Sequence, residues 1–465
     1  MYKETYMNKM HKIALVIAIT AIMVIRTTAA RAEETIALSL NEFCEQVVAY
    51  YPHLQEQAVS VEMAIAQKLE AAAGGQLRVR AEASVVQSDD QVFVFGAKMR
   101  QRSFTQNDFD VSRLNNPTNR LNNNAGIYAE LPLFDALETS YRVRSADALI
   151  GAARMDERFA KTEAILLAAD TYVRAASIDK AIGIIDDVCS ASDTDLKQAD
   201  ALKGQGMILG ADYFVAKVIM GEMRSLRNEL GERKKILMAL MNILTGQDPA
   251  RPIRLLTDPA DVDVNAGSLS ELIAQAEGSR PDFKAIDEAL RAQRDDLTRA
   301  KAGWLPRVSA FGDLQGNTKD FHKSGQSYAI GLKGTVDIFD PGYSSRVKTA
   351  AAAVRKLEAR RRMARDLVRS ELSRECGMYE SLRLNLPLVR EMIADAKEAV
   401  GLMLPLYREG RKSVVDLFEI RRAYLKAAQQ YYEIVADKNA SRARLLFLSG
   451  SLESTGVEAL LTGGK

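Results

Sequence analysis

The sequence has 465 residues, of which 47% are hydrophobic and only 11 are proline, so it suits a large ordered protein rather than a disordered chain or an all-β fold. Its formal net charge is +2, and removal of the basic first 32 residues takes that charge to about −2. Such a chain lacks the basic excess of a nucleic-acid-binding protein, which excludes that class of partner.

Residues 1–32 are predicted to be a secretory signal peptide. Basic residues precede an apolar run at 13–25, and Ala30-Arg31-Ala32 fits a small-x-small cleavage site. The apolar run is too short to span a membrane, and no later run reaches the ~18 apolar residues of a transmembrane helix. The mature chain is therefore expected to be exported.

Residues 33–248 form a first unit with the order helix, strand, strand, long helix, turn and helix. Strict alternation of apolar and polar residues predicts strands at about 77–95 and 124–134. The polar, Asn-rich stretch at 100–124 is expected to be the loop between them. A long run without proline then leads to a predicted helical hairpin whose tip lies near 203–214.

The second half of the chain repeats this order. Its predicted segments are a linker at 249–280, a second unit at 281–449 with strands at about 304–314 and 327–339 and a hairpin tip near 407–419, and a C-terminal tail at 450–465. The last helix of this unit is expected to end at a glycine shortly before the tail.

The two hairpin tips show the repeat most clearly. KGQGMILGADYF and YREGRKSVVDLFE each place an aspartate six residues after a glycine, Asp212 after Gly206 and Asp416 after Gly410, and the tips lie 204 residues apart. Both glycines suit the left-handed residue that ends a helix. Ser413 can cap the following helix together with Asp416. The chain is therefore one structural unit used twice.

The predicted elements require partners outside the chain. A helix of about 70 residues is about 100 Å long at ~1.5 Å per residue, and such helices pack along their length as coiled coils do. Amphipathic strands in an exported chain predict an outer-membrane barrel, yet single-chain bacterial barrels start at about 8 strands. Four strands per chain are therefore expected to join a shared barrel, and three copies give twelve.

Aromatic residues near the strand ends are expected to form the girdle of such a barrel at the membrane interface. They are Tyr128, Trp304, Phe311, Tyr328 and Phe339. The alternative interpretation is that they are core aromatics of a soluble sandwich, which the small number of strands and the very long intervening helices disfavour.

This order of elements resembles the TolC family of outer-membrane efflux channels over essentially the whole mature chain. The resemblance rests on the duplicated order, the strand ends ELPLFDA and TVDIFDPG, the strand start WLPRV and both tips. It implies a mainly α-helical homotrimer with a twelve-stranded barrel in the outer-membrane lipid, a coiled-coil periplasmic tunnel, and an equatorial belt that includes the linker. It also implies a passive exit duct of a tripartite efflux or type I secretion system, opened by a periplasmic adaptor and an inner-membrane transporter.

The same resemblance implies roles for residues at the tips. Asp416 and Glu419 match two acids that constrict the closed pore, and Tyr407, Lys412 and Asp212 match a lock that holds the closed state. From their spacing alone, Asp416 and Glu419 can equally be solvated acids in the first turns of a helix.

The sequence lacks the motifs that would indicate an enzyme. Outside the leader there are two histidines, His53 and His322, in separate segments, and there is no metal-ligand cluster, P-loop or nucleotide fingerprint, so neither a metal nor a cofactor is expected.

Cys44, Cys189 and Cys376 form no CxxC and are expected to be buried. The alternatives to a duct are a periplasmic coiled-coil adaptor, which has one hairpin rather than two, and a structural envelope protein without a channel.

Overall fold

The computed structural model of the chain describes residues 35–261, 267–320, 325–453 and Val457. The predicted signal peptide, His322 and most of the predicted tail lie outside the described residues. None of the helices that the structure describes combines the length and the apolarity needed to cross a membrane.

The described chain is mostly helical, with strands placed between the helices. In chain order the elements are β1 (Ile36–Leu38), α1 (Leu40–Tyr50), α2 (Pro52–Ala73), β2 (Arg78–Ser88), α3 (Gln91–Arg100), α4 (Val111–Asn115), β3 (Arg120–Asp135), α5 (Glu138–Gly204), α6 (Gly210–Leu244), β4 (Ile253–Leu255), α7 (Leu269–Ser279), α8 (Pro281–Lys301), β5 (Arg307–Thr318), β6 (Gly325–Thr335), α9 (Tyr343–Arg408) and α10 (Val414–Ser449). Short 3-10 turns lie at Gln106–Phe109 and Ala302–Trp304.

Contacts group these elements into two units, and each unit draws on both sequence repeats. The sheet unit consists of Glu56–Arg158 and Pro281–Leu367, and the helical unit contains the other described residues. The long helices α5 and α9, of 67 and 66 residues, contribute residues to both units.

The sheet unit contains a four-stranded antiparallel sheet in the order β2-β3-β5-β6, so β2 and β6 are its edges. Alternation predicts all four strands but misplaces their limits. The first strand, predicted to reach residue 95, ends at Ser88, and its last predicted residues belong to α3. Asp90 causes this change, because its Oδ1 accepts a 2.7 Å hydrogen bond from the Phe93 amide and caps the helix.

The strands also extend into segments whose composition predicts a loop. β3 begins at Arg120, inside the Asn-rich stretch, and the side-chain amides of Asn122 and Asn124 donate to Asn317 Oδ1 at 2.9 and 3.1 Å. The side-chain amides of Asn122 and Asn124 thus find an acceptor within the sheet, so their polarity does not force the backbone into a loop. β5 correspondingly runs on to Thr318 rather than ending near residue 314.

The pairing register divides the sheet side chains into two faces, because directly paired residues point to the same side. The polar face carries Arg78, Arg80, Glu82, Asn122, Asn124, Tyr128, Glu130, Phe311, Asp313, Gln315, Asn317 and Lys333. The apolar face carries Val79, Ala81, Ile127, Ala129, Leu314, Tyr328, Ile330 and Leu332. The sheet is therefore amphipathic in the way that the sequence alternation predicts.

A bulge in β3 keeps the end of that strand amphipathic. The register shifts between Pro132 and Phe134, so Phe134 pairs with Val308 on the apolar face and Asp135 pairs with Arg307 on the polar face. Without the extra residue the two side chains would exchange faces, because the side-chain period of a strand is two.

The helical unit contains the tips of two hairpins, α5–α6 and α9–α10, and a small parallel sheet of β1 and β4. Tyr172 of α5 joins this small sheet to the hairpin core. Its buried hydroxyl donates to the Leu38 carbonyl at 2.9 Å and accepts from the amides of Leu256 and Thr257 at 3.2 and 2.9 Å. The Tyr172 hydroxyl thereby holds the backbone at the end of β1 and the backbone just after β4.

The three cysteines are free thiols within the helical unit. Cys44 is buried, as predicted, whereas Cys189 and Cys376 are only half-buried, so the prediction of burial is wrong for those two. Partial burial nevertheless raises the pKa of both half-buried thiols above its ordinary value. They are therefore poor nucleophiles.

Candidate functional site at the hairpin tips

Both hairpins turn in the same way. Gly206 and Gly410 have φ angles of +73° and +70°, in the left-handed region that favours glycine. The next residue donates back to the last helical turn in each case, Met207 N to Leu202 O and Arg411 N to Leu406 O, both at 2.9 Å. Each long helix therefore ends in a Schellman turn, and the two sequence repeats produce one backbone geometry.

The helices that follow the two tips begin differently. At the second tip, Ser413 Oγ accepts from the Asp416 amide at 3.1 Å, and Asp416 Oδ2 accepts from the Ser413 amide and hydroxyl at 3.0 Å. These bonds, led by the one from the Ser413 amide, lower the pKa of Asp416 and hold it ionised. At the first tip Leu209 occupies the cap position without a side-chain cap.

Glu419 lies one turn beyond Asp416 and forms part of a charged triad. Its Oε2 accepts from Arg422 Nη2 at 2.5 Å, and Arg422 Nη1 also reaches Glu222 Oε2 on α6 at 3.1 Å. All three side chains are about half exposed. The triad joins α10 to the first hairpin but leaves the charges accessible to solvent.

The neighbouring Arg421 makes a buried connection instead. Only 3% of this residue is exposed, and its guanidinium donates to Asp195 Oδ2 at 2.5 Å and to Ser192 Oγ at 3.0 Å, both on α5. Arg421 and Arg422 thus tie α10 to both helices of the first hairpin. We call these two arginines, with Ser192, Asp195 and Glu222, the arginine clamp.

A hydrophobic cluster surrounds the buried half of the clamp. Its members come from α5, α6 and α10 and include Ile185, Met220, Leu230, Phe418 and Leu425, among others. Such packing keeps water from the ion pair, so the charges interact more strongly than exposed ones do. The two hairpins therefore meet through an apolar interface with a buried charge pair inside it.

The described residues of one chain do not show the predicted lock contacts. Within the described residues of this single chain, neither Tyr407 nor Lys412 makes a hydrogen bond or an ion pair with Asp212. Tyr407 packs against the hydrophobic cluster, and burial, followed by the nearby charge of Asp195, raises its hydroxyl pKa. The lock stays a prediction for the assembled protein, whereas the arginine clamp forms within one chain.

The aromatic residues predicted at the membrane interface do not share one face. Tyr128 pairs with Arg80, whose guanidinium lies 5.6 Å from the Tyr128 ring centre, and the Phe311 ring covers Gly331. Both rings therefore lie on the polar face of the sheet, and their place at the membrane interface stays a prediction.

The other three aromatic residues remain candidates for the membrane interface. Tyr328 lies on the apolar face with 78% of its surface exposed, while Trp304 and Phe339 flank the strands and are also exposed. Alternation in the sequence could not assign these residues to a face, because an aromatic side chain can lie on either the polar or the apolar face of a strand.

The described residues offer no alternative chemical site. No group of three or more His, Cys, Asp or Glu side chains in the described ranges is arranged to hold a metal ion. Near the tips, Asp416 instead caps α10, and Arg421 and Arg422 form ion pairs with the first hairpin. The ion pairs hold the two hairpins of the chain together.

Part of the chain is similar in sequence to known proteins. Residues 272–451 match the family described as outer membrane efflux protein. The outer membrane protein OprJ of Pseudomonas aeruginosa is 24% identical over 239 residues, which cover 48% of this chain and 48% of OprJ. The match thus spans about half the length of this curated relative.

Solved structures share the fold over most of the chain. The outer-membrane channel OprN superposes with a TM-score of 0.72 at 19% identity, covering 89% of this chain and 90% of OprN. The CmeC outer membrane channel of Campylobacter jejuni gives a TM-score of 0.74 at 17% identity, covering 90% of this chain and 86% of CmeC. The second half of the chain is thus similar in sequence to outer membrane efflux proteins, and the described chain shares the fold of these outer-membrane channels, as its resemblance to the TolC family predicts.

Proposed function

We propose that this protein is the outer-membrane exit duct of a tripartite efflux or type I secretion system. It is a passive channel of three identical chains that a periplasmic adaptor and an inner-membrane transporter open. The family that residues 272–451 match is one of channel proteins, and this match supports a duct rather than an enzyme. The observation that carries the proposal is the four-stranded sheet, which has one apolar face and two edges without a strand partner among the described residues.

The sheet is unsuited to remain alone in water. Ile330 is 82% exposed and Leu332 is 72% exposed on the apolar face, and the outer backbone groups of β2 and β6 have no strand partner among the described residues. Exposed apolar rows and open edges invite association. A closed barrel in lipid resolves both problems, because edges pair with neighbouring copies and the apolar face meets acyl chains.

The long helices also expose apolar residues that need partners. Along α9 the exposed set includes Met363, Leu367, Leu384, Leu388 and Leu402. Neighbouring copies of the same hairpins can cover these side chains along their length, as in a coiled coil. This supports a periplasmic tunnel built by three chains.

We assign the entrance of this tunnel to the hairpin tips. Three-fold symmetry would bring three copies each of Asp416 and Glu419 around one axis, and an acidic ring favours cations over anions. Tyr407 and Lys412 reaching Asp212 would hold the closed state, and the arginine clamp would keep the two hairpins of each chain together. A periplasmic adaptor or a structural envelope protein would leave the exposed apolar face of the sheet unexplained.

Removing the acid ring is expected to weaken ion selectivity. Asp416→Asn with Glu419→Gln retains acceptors for Ser413 and Arg422, so the helix cap and the contact with Arg422 survive while the charge is lost. In planar bilayers the double variant should shift the reversal potential toward non-selectivity and lose block by multivalent cations.

The matched control is Asp200→Asn, which removes an exposed acid near the first tip that pairs with Lys203. This variant should keep the wild-type reversal potential. If the double variant also keeps wild-type selectivity and cation block, Asp416 and Glu419 do not line the constriction.

A further inference from the structure

The connection between β2 and β3 is a folded structure. Residues 89–119, which we call the β2–β3 cap, contain α3, a 3-10 turn and α4. The rings of Phe95, Phe104 and Phe109 stack edge to face with centres 4.9 and 5.1 Å apart. Lys98 Nζ donates to Asp108 Oδ1 at 2.6 Å. The cap is therefore stabilised from within by an aromatic stack and an ion pair.

The cap lies on the polar face of the sheet. Gln101 Nε2 donates to Asn122 Oδ1 at 2.9 Å, and Asn122 in turn donates to Asn317, which is only 1% exposed. At the opposite edge a Cβ built on Gly325 would lie 1.8 Å from the Arg100 carbonyl oxygen. Gly325 pairs with Asn317, so the Cα hydrogen that takes the place of a side chain in Gly325 also points to the polar face.

The cap therefore crosses the whole width of the sheet. Helix α3 starts three residues after β2, at one edge, and its end meets β6, at the other edge. Ten residues of helix are about 15 Å long, and three strand spacings measure about 14 Å. Arg102, in the left-handed region with φ +50°, then donates from Nη2 to the Gln326 carbonyl at 2.9 Å and fixes the far end.

In a closed barrel the polar face is the inner wall, and the cap lies at the end of the sheet away from the start of α5. We propose that the caps of three chains narrow the outer mouth of the duct and restrict its cargo to small organic molecules rather than polypeptides. This inference rests on the proposed function. Three helices, each about 10 Å across, would occupy the inner wall at one level.

The exposed side chains of the cap indicate the character of this opening. Val92, Met99, Phe109 and Val111 are large apolar residues that the cap leaves uncovered, and Phe109 is 64% exposed. Apolar side chains of this kind at the opening suit molecules with apolar parts. The cap would thus act as a filter separate from the acid ring.

One-sided polymer exclusion in planar bilayers tests the cap independently of the tips. Polyethylene glycols of increasing size are added to the outer chamber only, and each polymer that enters the outer mouth lowers the current. A variant in which a short Gly/Ser linker replaces residues 89–119 should admit larger polymers than the wild type. An equal size limit in both proteins would overturn the inference while leaving the duct intact.

A second variant covers the case in which the shortened chain does not fold. Phe109→Cys, modified from the outer side by a bulky thiol reagent, should lose most of its current, whereas the wild type with its own three buried or half-buried thiols should not. Current that is unchanged after confirmed labelling would contradict the cap. Absence of any wild-type current would overturn the duct and the cap together.

Discussion

Arg421→Met is expected to destabilise the contact between α10 and the first hairpin by about 3–5 kcal/mol, because it leaves the Asp195 carboxylate buried without its partner. Hydrogen exchange of the α10 amides beyond Ser413 would report this loss as a lower free energy of local opening. The same variant should raise single-channel conductance, since the second hairpin is then free to move away from the first.

Two further variants separate charge burial from packing. Arg421→Met with Asp195→Leu removes both charges, so most of the lost stability should return. Arg422→Met removes an arginine that is about half exposed, and it should change exchange little because exposed ion pairs contribute little. If Arg421→Met and Arg422→Met have equal effects, the buried half of the arginine clamp does not hold the hairpins.

Tyr172→Phe is expected to loosen the small β1–β4 sheet from the hairpin core. The phenyl ring keeps the packing but removes the hydroxyl, and the Thr257 amide loses the 2.9 Å bond that it makes to that oxygen. A buried donor left without an acceptor costs about 1–3 kcal/mol, and because the Thr257 amide is only partly buried, the lower end of that range is expected. Amides of β1 and β4 should therefore exchange faster in the variant than in the wild type.

Tyr432→Phe is a suitable control for Tyr172→Phe. Tyr432 is half-buried in the same helical unit, and its hydroxyl makes no hydrogen bond in the described part of the chain. Its removal should leave exchange in β1 and β4 unchanged. Equal acceleration by both variants would show that the Tyr172 hydroxyl is not the link between the small sheet and the core.

The tips could be predicted from sequence because local rules determine them. A glycine at the end of a long helical pattern, followed by a serine three residues before an aspartate, specifies a left-handed turn and a capping box. Gly410, Ser413 and Asp416 adopt these roles. No contact with a distant residue is needed for either feature.

The arginine clamp could not be predicted in this way. Arg421 and Arg422 are adjacent in sequence, yet one is buried against α5 and the other is exposed beside α6. Which arginine faces the core depends on how α10 is rotated against the first hairpin, and Asp195 is more than 200 residues earlier. Local patterns carry no information on such a contact.

The faces of the sheet were predictable in part. Alternation identifies an amphipathic strand, but a single inserted residue exchanges the two faces, and the bulge after Pro132 does so at the end of β3. Tyr128 and Phe311 show the related limit, since an aromatic side chain on a strand can belong to either face. The folded structure of the β2–β3 cap was not predicted, because its polar, Asn-rich composition resembles that of a loop.

The oligomeric state tests most directly whether this sheet is one third of a barrel. Light scattering of the detergent-extracted protein, corrected for bound detergent, gives the protein mass of the particle. We expect the mass of three chains, because four strands with two open edges cannot close a barrel alone. A monodisperse particle of one chain that retains its full β-sheet circular dichroism would contradict the shared barrel and the duct built on it.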